Sequence, residues 1–389
     1  MLHHAHERIF LVQTSGLHAA RTAIPNYHQH QEVNMTLHEE FNFEELPAGT
    51  KQTYRMTVNF PEAPDLVDLV TMISGDRSQR ESVQSEIDSV FQEGTLSVPV
   101  LAVCGSRPGK TLVTTAGIHG DEYEGMEAIH RTFEALDPSS MSGTFVAVPV
   151  VTLPAYWMAC RVNPLDGRNM ARVFPGSTDG CASERLAARL LDRVMRHASL
   201  YIDLHSAGRG SHWVTMCGFC DHGSQAETAR SAARCFGAPV IWEHPHDPEA
   251  TGRTLNATCD LEIPSIYTEA FGGGHARAED IDCYTRGLAN LLRFLEIAEL
   301  PAAGLPEPYE PVEVRGMGNT DRGLNASTSG LAWLLIKPGD RIRAGQKIGY
   351  LRDLEGRIIE EILSPQDAFV IGVRATPRVF AGDNLAILS

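Results

Sequence analysis

The chain has 389 residues, 43% of them hydrophobic, and its 33 basic against 49 acidic side chains give a net charge of −16. That length predicts two domains around sizeable cores. The acidic balance argues against a nucleic-acid partner, which calls for a basic face, and requires any anionic substrate to be met by a local group of arginines.

Residues 1–41 are polar and aperiodic, carry the scattered histidines His3, His4, His6, His18, His28, His30 and His38, and read as an N-terminal extension. No basic, apolar leader opens the chain, and no apolar run reaches the ~18 residues of a membrane span, so the expectation is a cytoplasmic protein without a membrane partner. Eight cysteines without dense spacing fit a reducing compartment, and the single C-x-x-C, Cys217 to Cys220, reads as structural thiols.

From 42 to 300 strand and helix patterns alternate. The β-rich runs are 100–104, 112–118, 144–150, 200–204, 240–242 and 265–268. Between them, 182–198 repeats apolar residues at four-residue steps, 223–237 is an alanine-rich helix stopped by Gly237, and 279–298 has a leucine stripe. Such alternation predicts an α/β layer structure on a mixed sheet, with sites beyond the carboxyl ends of strands. Residues 301–311 form a proline-rich linker. Residues 312–389, short strands between turn signals, form a small all-β domain whose wording, "KPGDRIRAGQKIGYL" and "VFAGDNLAIL", resembles the barrel-sandwich fold of biotinyl and lipoyl carriers. It has no lysine at the hairpin those carriers modify, so no covalent cofactor follows.

The chemistry concentrates at strand ends. His119 and Glu122 lie at i and i+3 on the turn after 112–118, with Gly117 and Gly120 permitting a tight backbone. His205 ends the run 200–204. Two histidines and a glutamate form a zinc set that keeps a position open for water, the catalytic arrangement. The competing carboxylates Asp121 and Glu124 are expected to face solvent or the helix N-terminus. A lone H-x-x-E is a weak signal; the third residue and its position give it weight. Between the halves, Arg161, Arg168 and Arg172 lie in a loop of Asn-Pro and Asp-Gly turns, either a solvated basic loop or an anion clamp. Glu269 ends 265–268 before three glycines, as a salt-bridge partner or as the base a zinc-activated water needs.

The ordered set "AGIHGDEYEG", "RVNPLDGRNMARVFPG", "YIDLHSAG" and "TEAFGGG" resembles the succinylglutamate desuccinylase/aspartoacylase family, relatives of the zinc carboxypeptidases, over residues 42–389. Within it the wording is nearest the branch of N-acetyl-diaminobutyrate deacetylases. The resemblance implies a carboxypeptidase-like mixed sheet flanked by helices, followed by the small β domain. It implies one zinc ion per chain on His119, Glu122 and His205, Glu269 as general base and acid, and Arg161 polarising the scissile carbonyl. Arg172 would hold a substrate carboxylate, Asn169 would stand near the metal, and the β domain would lean over the mouth of the site. One departure stands out: Ala171 precedes Arg172 where the family has asparagine, which removes a donor from the carboxylate clamp and leaves Arg168 to compensate. The reaction implied is hydrolysis of a small N-acyl amino acid or N-acyl amine by metal-activated water. A zinc carboxypeptidase acting on short peptides and a non-catalytic zinc-binding protein are the alternatives. A homo-oligomer is compatible with the sequence, and another divalent ion fits the same ligand types.

Overall fold

The computed structural model describes residues 39–60, 70–73, 79–245, 247–316 and 322–389. The expected N-terminal extension lies outside the described residues up to His38. Its last residues belong to the fold: Glu40 bridges to Arg55 and Phe41 is fully buried.

Strands β1 (Thr50–Asn59), β2 (Phe91–Gln92), β3 (Thr95–Cys104), β4 (Arg107–Ala116), β5 (Ser142–Val148) and β6 (Leu200–Ser206) fill the first part of the chain. β7 (Ser211–Trp213), β8 (Met216–Cys220), β9 (Val240–His244), β10 (Ser265–Ala270) and β11 (Val312–Arg315) follow. The helices are α1 (Arg80–Val90), α2 (Glu124–Ala135), α3 (Leu153–Trp157), α4 (Ala182–Arg193), α5 (Ala226–Phe236), α6 (Thr254–Asp260) and α7 (Ala278–Phe294). All these strands except β7 join one mixed sheet in the order β1-β3-β5-β4-β6-β10-β8-β9-β11, with β2 on β3.

The centre of the sheet, β5 to β10, is parallel. Such strands are covered on both faces, which explains the unbroken apolar runs in the sequence. In β4, Leu112 points into a core with Ile129 of α2, Phe236 of α5 and Leu288 of α7, whereas Val113 points into a second core with Leu186 and Leu190 of α4. α5 stops at Gly237, whose φ of +86° gives the left-handed cap the sequence announces. The chain leaves β4 for β5 on one side and later returns to β6 on the other. This reversal opens a crevice beyond the carboxyl ends of β4 and β6, and β10 lies next in line.

The C-terminal region is all-β. β12 (Leu324–Asn325), β13 (Gly330–Leu334), β14 (Arg341–Ile342), β15 (Lys347–Arg352), β16 (Ile358–Leu363), β17 (Ala368–Arg374), β18 (Arg378–Val379) and β19 (Asn384–Leu388) form two small sheets. Ile348, Leu351, Val370 and Leu385 are buried between them. Two features tie this region to the large sheet more closely than a linker would. Residues 312–315, expected in the small domain, are β11, parallel to β9 at the edge of the main sheet. β7 pairs antiparallel with β17, covering an edge that would otherwise be open. Beneath that seam Met216, Val240 and Trp242 meet Phe369, Ile371 and Ile387.

Ile371→Ala should therefore cost about 2–5 kcal/mol in urea unfolding, as for a core isoleucine. A cost below about 1 kcal/mol would show that the seam does not contribute to stability.

Candidate metal centre

β4 ends at Ala116, and Gly117 (φ +62°) turns the chain so that His119 stands over the strand end. Gly120 lies hard against the end of α3, where a Cβ would sit 1.9 Å from the Ala155 carbonyl carbon, and its N–H donates to Cys160 O at 2.9 Å. Glu122 follows one turn on, and His205 comes from the last turn of β6, next door. The three side chains are buried, and one candidate ligand atom from each lies within 4.8 Å of the others.

Glu122 occupies the middle. Its Oε1 is 2.7 Å from His119 Nδ1 and its Oε2 is 2.8 Å from His205 Nδ1. The far nitrogen of each ring is held by an acceptor: His119 Nε2 by Asn169 Oδ1 at 3.0 Å, His205 Nε2 by Asp203 Oδ2 at 3.1 Å. Ring protons on Nε2, donated to those acceptors, would leave both Nδ1 atoms free to bind a cation together with the carboxylate. Four electron-pair donors converging in a buried spot suit a divalent cation, so the donor set fits zinc in type and number. Asp203, fully buried, also accepts from Thr115 Oγ1 at 2.8 Å and Thr254 Oγ1 at 2.7 Å, which fixes the carboxylate that fixes the ring.

Burial disfavours charge on Glu122, but the two imidazoles outweigh it and hold its carboxyl well below the usual range. His119 is pushed down by burial and by the Arg161 charge. Burial also opposes charge on His205, yet Asp203 and Glu122 together raise it well above an ordinary histidine. Glu269 is raised by burial and by the neighbouring Glu122 charge. A bound cation would work against that repulsion.

A single cleft runs outward from this cluster. Its lining includes His119, His205, Arg161, Arg172, Ala171 and Glu269, so the structure brings together most of the residues marked in the sequence. Arg161 Nη1 lies 3.1 Å from His119 Nδ1 and 3.3 Å from Glu122 Oε1, with half its side chain exposed. Glu269 is level with His205 on the adjacent parallel strand, and its Oε2 is buried with no hydrogen-bond partner among the described residues. Asn169 does not line the cleft; its carboxamide oxygen joins His119 to the Ala171 N–H.

Other expectations fail. Arg168 is exposed and outside the cleft lining, because the turn at Asn163 and Asp166 directs it elsewhere. Asp121 and Glu124 are buried and do not face solvent, although Glu124 stands at the helix N-terminus, the other place expected for it. Asp121 Oδ2 accepts from Arg209 N at 2.9 Å, tying the His119 turn to the loop after His205, and Glu124 opens α2 with its carboxyl raised by burial. No described residue beyond Glu269 lines the cleft, so the described part of the β region contributes nothing to its wall. Sequence reasoning missed Arg253, His244, Asp247 and Tyr267, which form the wall of the cleft around Arg172. Tyr267 had a signal, standing two residues before Glu269 on one strand and therefore on the same face. The others sit in loops and strand ends with no pattern to mark them. All eight cysteines are free thiols, and burial raises Cys217 and Cys220, in keeping with a structural C-x-x-C. Among the described residues no helix is long and apolar enough to cross a membrane.

The fold is a mixed α/β sheet flanked by helices, followed by an all-β region. The family model of the succinylglutamate desuccinylase/aspartoacylase catalytic domain matches residues 108–295. Among characterised relatives the chain is 29% identical over 303 residues to the N-alpha-acetyl-L-2,4-diaminobutyric acid deacetylase of Halomonas elongata, covering 76% of this chain and 86% of that protein. Similar solved folds include a succinylglutamate desuccinylase/aspartoacylase from Rhodobacter sphaeroides (TM-score 0.71, 23% identity, 88% of this chain and 97% of that one). Another is the product-bound ectoine utilization protein EutE of Ruegeria pomeroyi (TM-score 0.73, 22% identity, 88% and 97%).

Two measurements test this centre. Asp203→Asn should lower zinc affinity about 10- to 100-fold in chelator competition, and unchanged affinity would remove its orienting role. Burial, then the Arg253 charge, push His244 from its ordinary value down to about 3. A histidine depressed in the folded state contributes stability that is present above pH ~6.5 and is lost as pH falls toward 3. Wild type should lose up to roughly 1.4 kcal/mol per pH unit below 6.5 relative to His244→Phe, and parallel pH profiles would contradict the assignment.

Proposed function

We propose that the protein is a zinc-dependent hydrolase that cleaves the amide bond of a small N-acyl amino acid, releasing a carboxylic acid and a free amine. The observation that carries this reading is the partnerless oxygen of Glu269, buried at the cleft wall beside a cluster with only three protein ligands. A purely structural zinc site closes with four. The family-model match and the deacetylase relative support the same class.

Zinc held by His119, Glu122 and His205 would supply Lewis acidity and bring the pKa of an adjacent water toward about 7. The chain's own groups do the rest. Arg161, always protonated and placed at the rim of the cluster, donates to the substrate's acyl oxygen as charge develops there. Glu269 takes a proton from the attacking water and returns it to the leaving nitrogen, which would otherwise depart as an unstable anion. Arg172 meets the substrate carboxylate, with Arg253 on the same wall. Ala171 contributes no donor, so the clamp on this carboxylate rests on guanidinium groups alone. That loss is worth roughly 0.5–1.5 kcal/mol for one hydrogen bond.

Glu269→Ala should retain zinc while turnover falls about 10²- to 10⁴-fold; near-wild-type turnover would refute the role. Chelation should abolish hydrolysis and added zinc restore it, across a panel of N-acetyl, N-succinyl and N-formyl amino acids. Activity that survives a verified metal-free state would end the zinc-dependent reading.

A further inference from the structure

Helix α7 lies behind the site. Its Tyr284, Leu288 and Leu292 share a core with Leu204 and Ala270, the residues next to His205 and Glu269 on β6 and β10. Side chains alternate along a strand, so His205 and Glu269 face the opposite side, toward the cleft.

From the rear, α7 reaches both strand ends with polar groups. Asp280 and Tyr284 stand four residues apart, on one face of the helix, and both are buried. Tyr284 Oη donates to the carbonyl oxygen of His205 at 2.6 Å, a bond with one possible direction because a carbonyl only accepts. Burial raises the phenol well above its ordinary value, so it keeps the proton it donates. Asp280 holds the other strand. Its Oδ2 accepts from the N–H of Phe271, just past Glu269, at 3.3 Å, and its Oδ1 accepts from the hydroxyl of Thr215, the residue before β8. Arg277 grips both oxygens, Nε to Oδ2 at 2.7 Å and Nη2 to Oδ1 at 2.8 Å, and its guanidinium lies over the Phe271 ring at 4.1 Å.

These contacts fall where the strand pairing runs out. β6 pairs with β4 only as far as Leu204 with Ala116, since the chain turns away at Gly117, and His205 is paired on the β10 side alone. β10 pairs with β8 only as far as Glu269 with Met216. We propose that Tyr284 and Asp280 are positioning residues: α7 fastens the backbone at His205 and just past Glu269, and so sets the separation between metal and base. This rests on the zinc-dependent deacylase reading. A displacement of about 1 Å at a reacting group costs on the order of 10² in rate, so one lost bond should register in turnover.

Tyr284→Phe deletes only the hydroxyl, and Asp280→Asn keeps the shape of the side chain; thermal melting checks that each is folded. In zinc-loaded protein acting on an N-acyl amino acid, kcat should fall about tenfold or more in each variant while KM stays within about threefold. The visible absorption of the cobalt-substituted protein reads the geometry at the metal without turnover. It should shift in Tyr284→Phe, which frees a ligand, and stay as in wild type in Asp280→Asn, which frees the base. Bonds that serve stability alone would lower the melting temperature and leave both kcat and spectrum unchanged. Wild-type kcat in either folded variant, KM rising as much as kcat falls, or an unmoved cobalt spectrum in Tyr284→Phe would overturn the proposal. If Asp280→Asn does not fold, Tyr284→Phe decides. If wild type hydrolyses no N-acyl amino acid but Tyr284→Phe still shifts the cobalt spectrum, the hold on His205 stands and the deacylase reading fails.

Discussion

Glu122 bonds to two imidazoles at once, and nearly every constraint around the site serves that arrangement. A carboxylate with each oxygen against a ring nitrogen stays ionised deep in the protein because the two imidazoles outweigh the cost of burial. Asn169 and Asp203 hold the rings from behind, and Thr115 and Thr254 hold Asp203 in turn. Remove the outer acceptors and the rings can rotate, at which point four lone pairs no longer converge. The catalytic reading depends on this shell as much as on the three ligands.

The sheet makes the convergence available at low cost. β4, β6 and β10 are consecutive neighbours running in the same direction, so their carboxyl ends bring the His119 turn, His205 and Glu269 to one edge. Each group needs only a short excursion from a rigid strand. Gly117 and Gly120 make the first excursion possible, one by its left-handed backbone and the other by its contact with α3. Asp121 closes the assembly by accepting from the backbone of Arg209, which joins the first ligand turn to the loop leaving the second.

The C-terminal β region has a different relation to the site from the one its sequence suggests. It covers the edge of the protein through β7 and the apolar seam under it, and it stays off the cleft lining among the described residues. Selectivity then falls to the walls of the cleft itself. Arg172 and Arg253 supply positive charge within a strongly acidic chain, and the Tyr267–His244 pair supplies a neutral polar surface beside them.

The amino-acid order alone was enough to mark the alternating α/β layers, the all-β end and the residues His119, Glu122, His205, Glu269, Arg161 and Arg172. Strands buried on both faces, helices with four-residue stripes and polar residues at strand ends leave local signatures. β1 was not marked although Tyr54, Met56 and Val58 alternate on its buried face, β8 is a five-residue run of Met, Cys, Gly and Phe too short to show a period, and β11 was assigned to the small domain because its pairing partner, β9, is about seventy residues away. Arg168 had the same local credentials as Arg172 and was separated from it only by how the loop folds. Tertiary structure alone decided the burial of Asp121 and Glu124, the support of His205 by Asp203, and the meeting of Tyr267 with His244. Each of these depends on which residue of one strand or loop stands opposite which residue of another, and a linear period carries no information about that register.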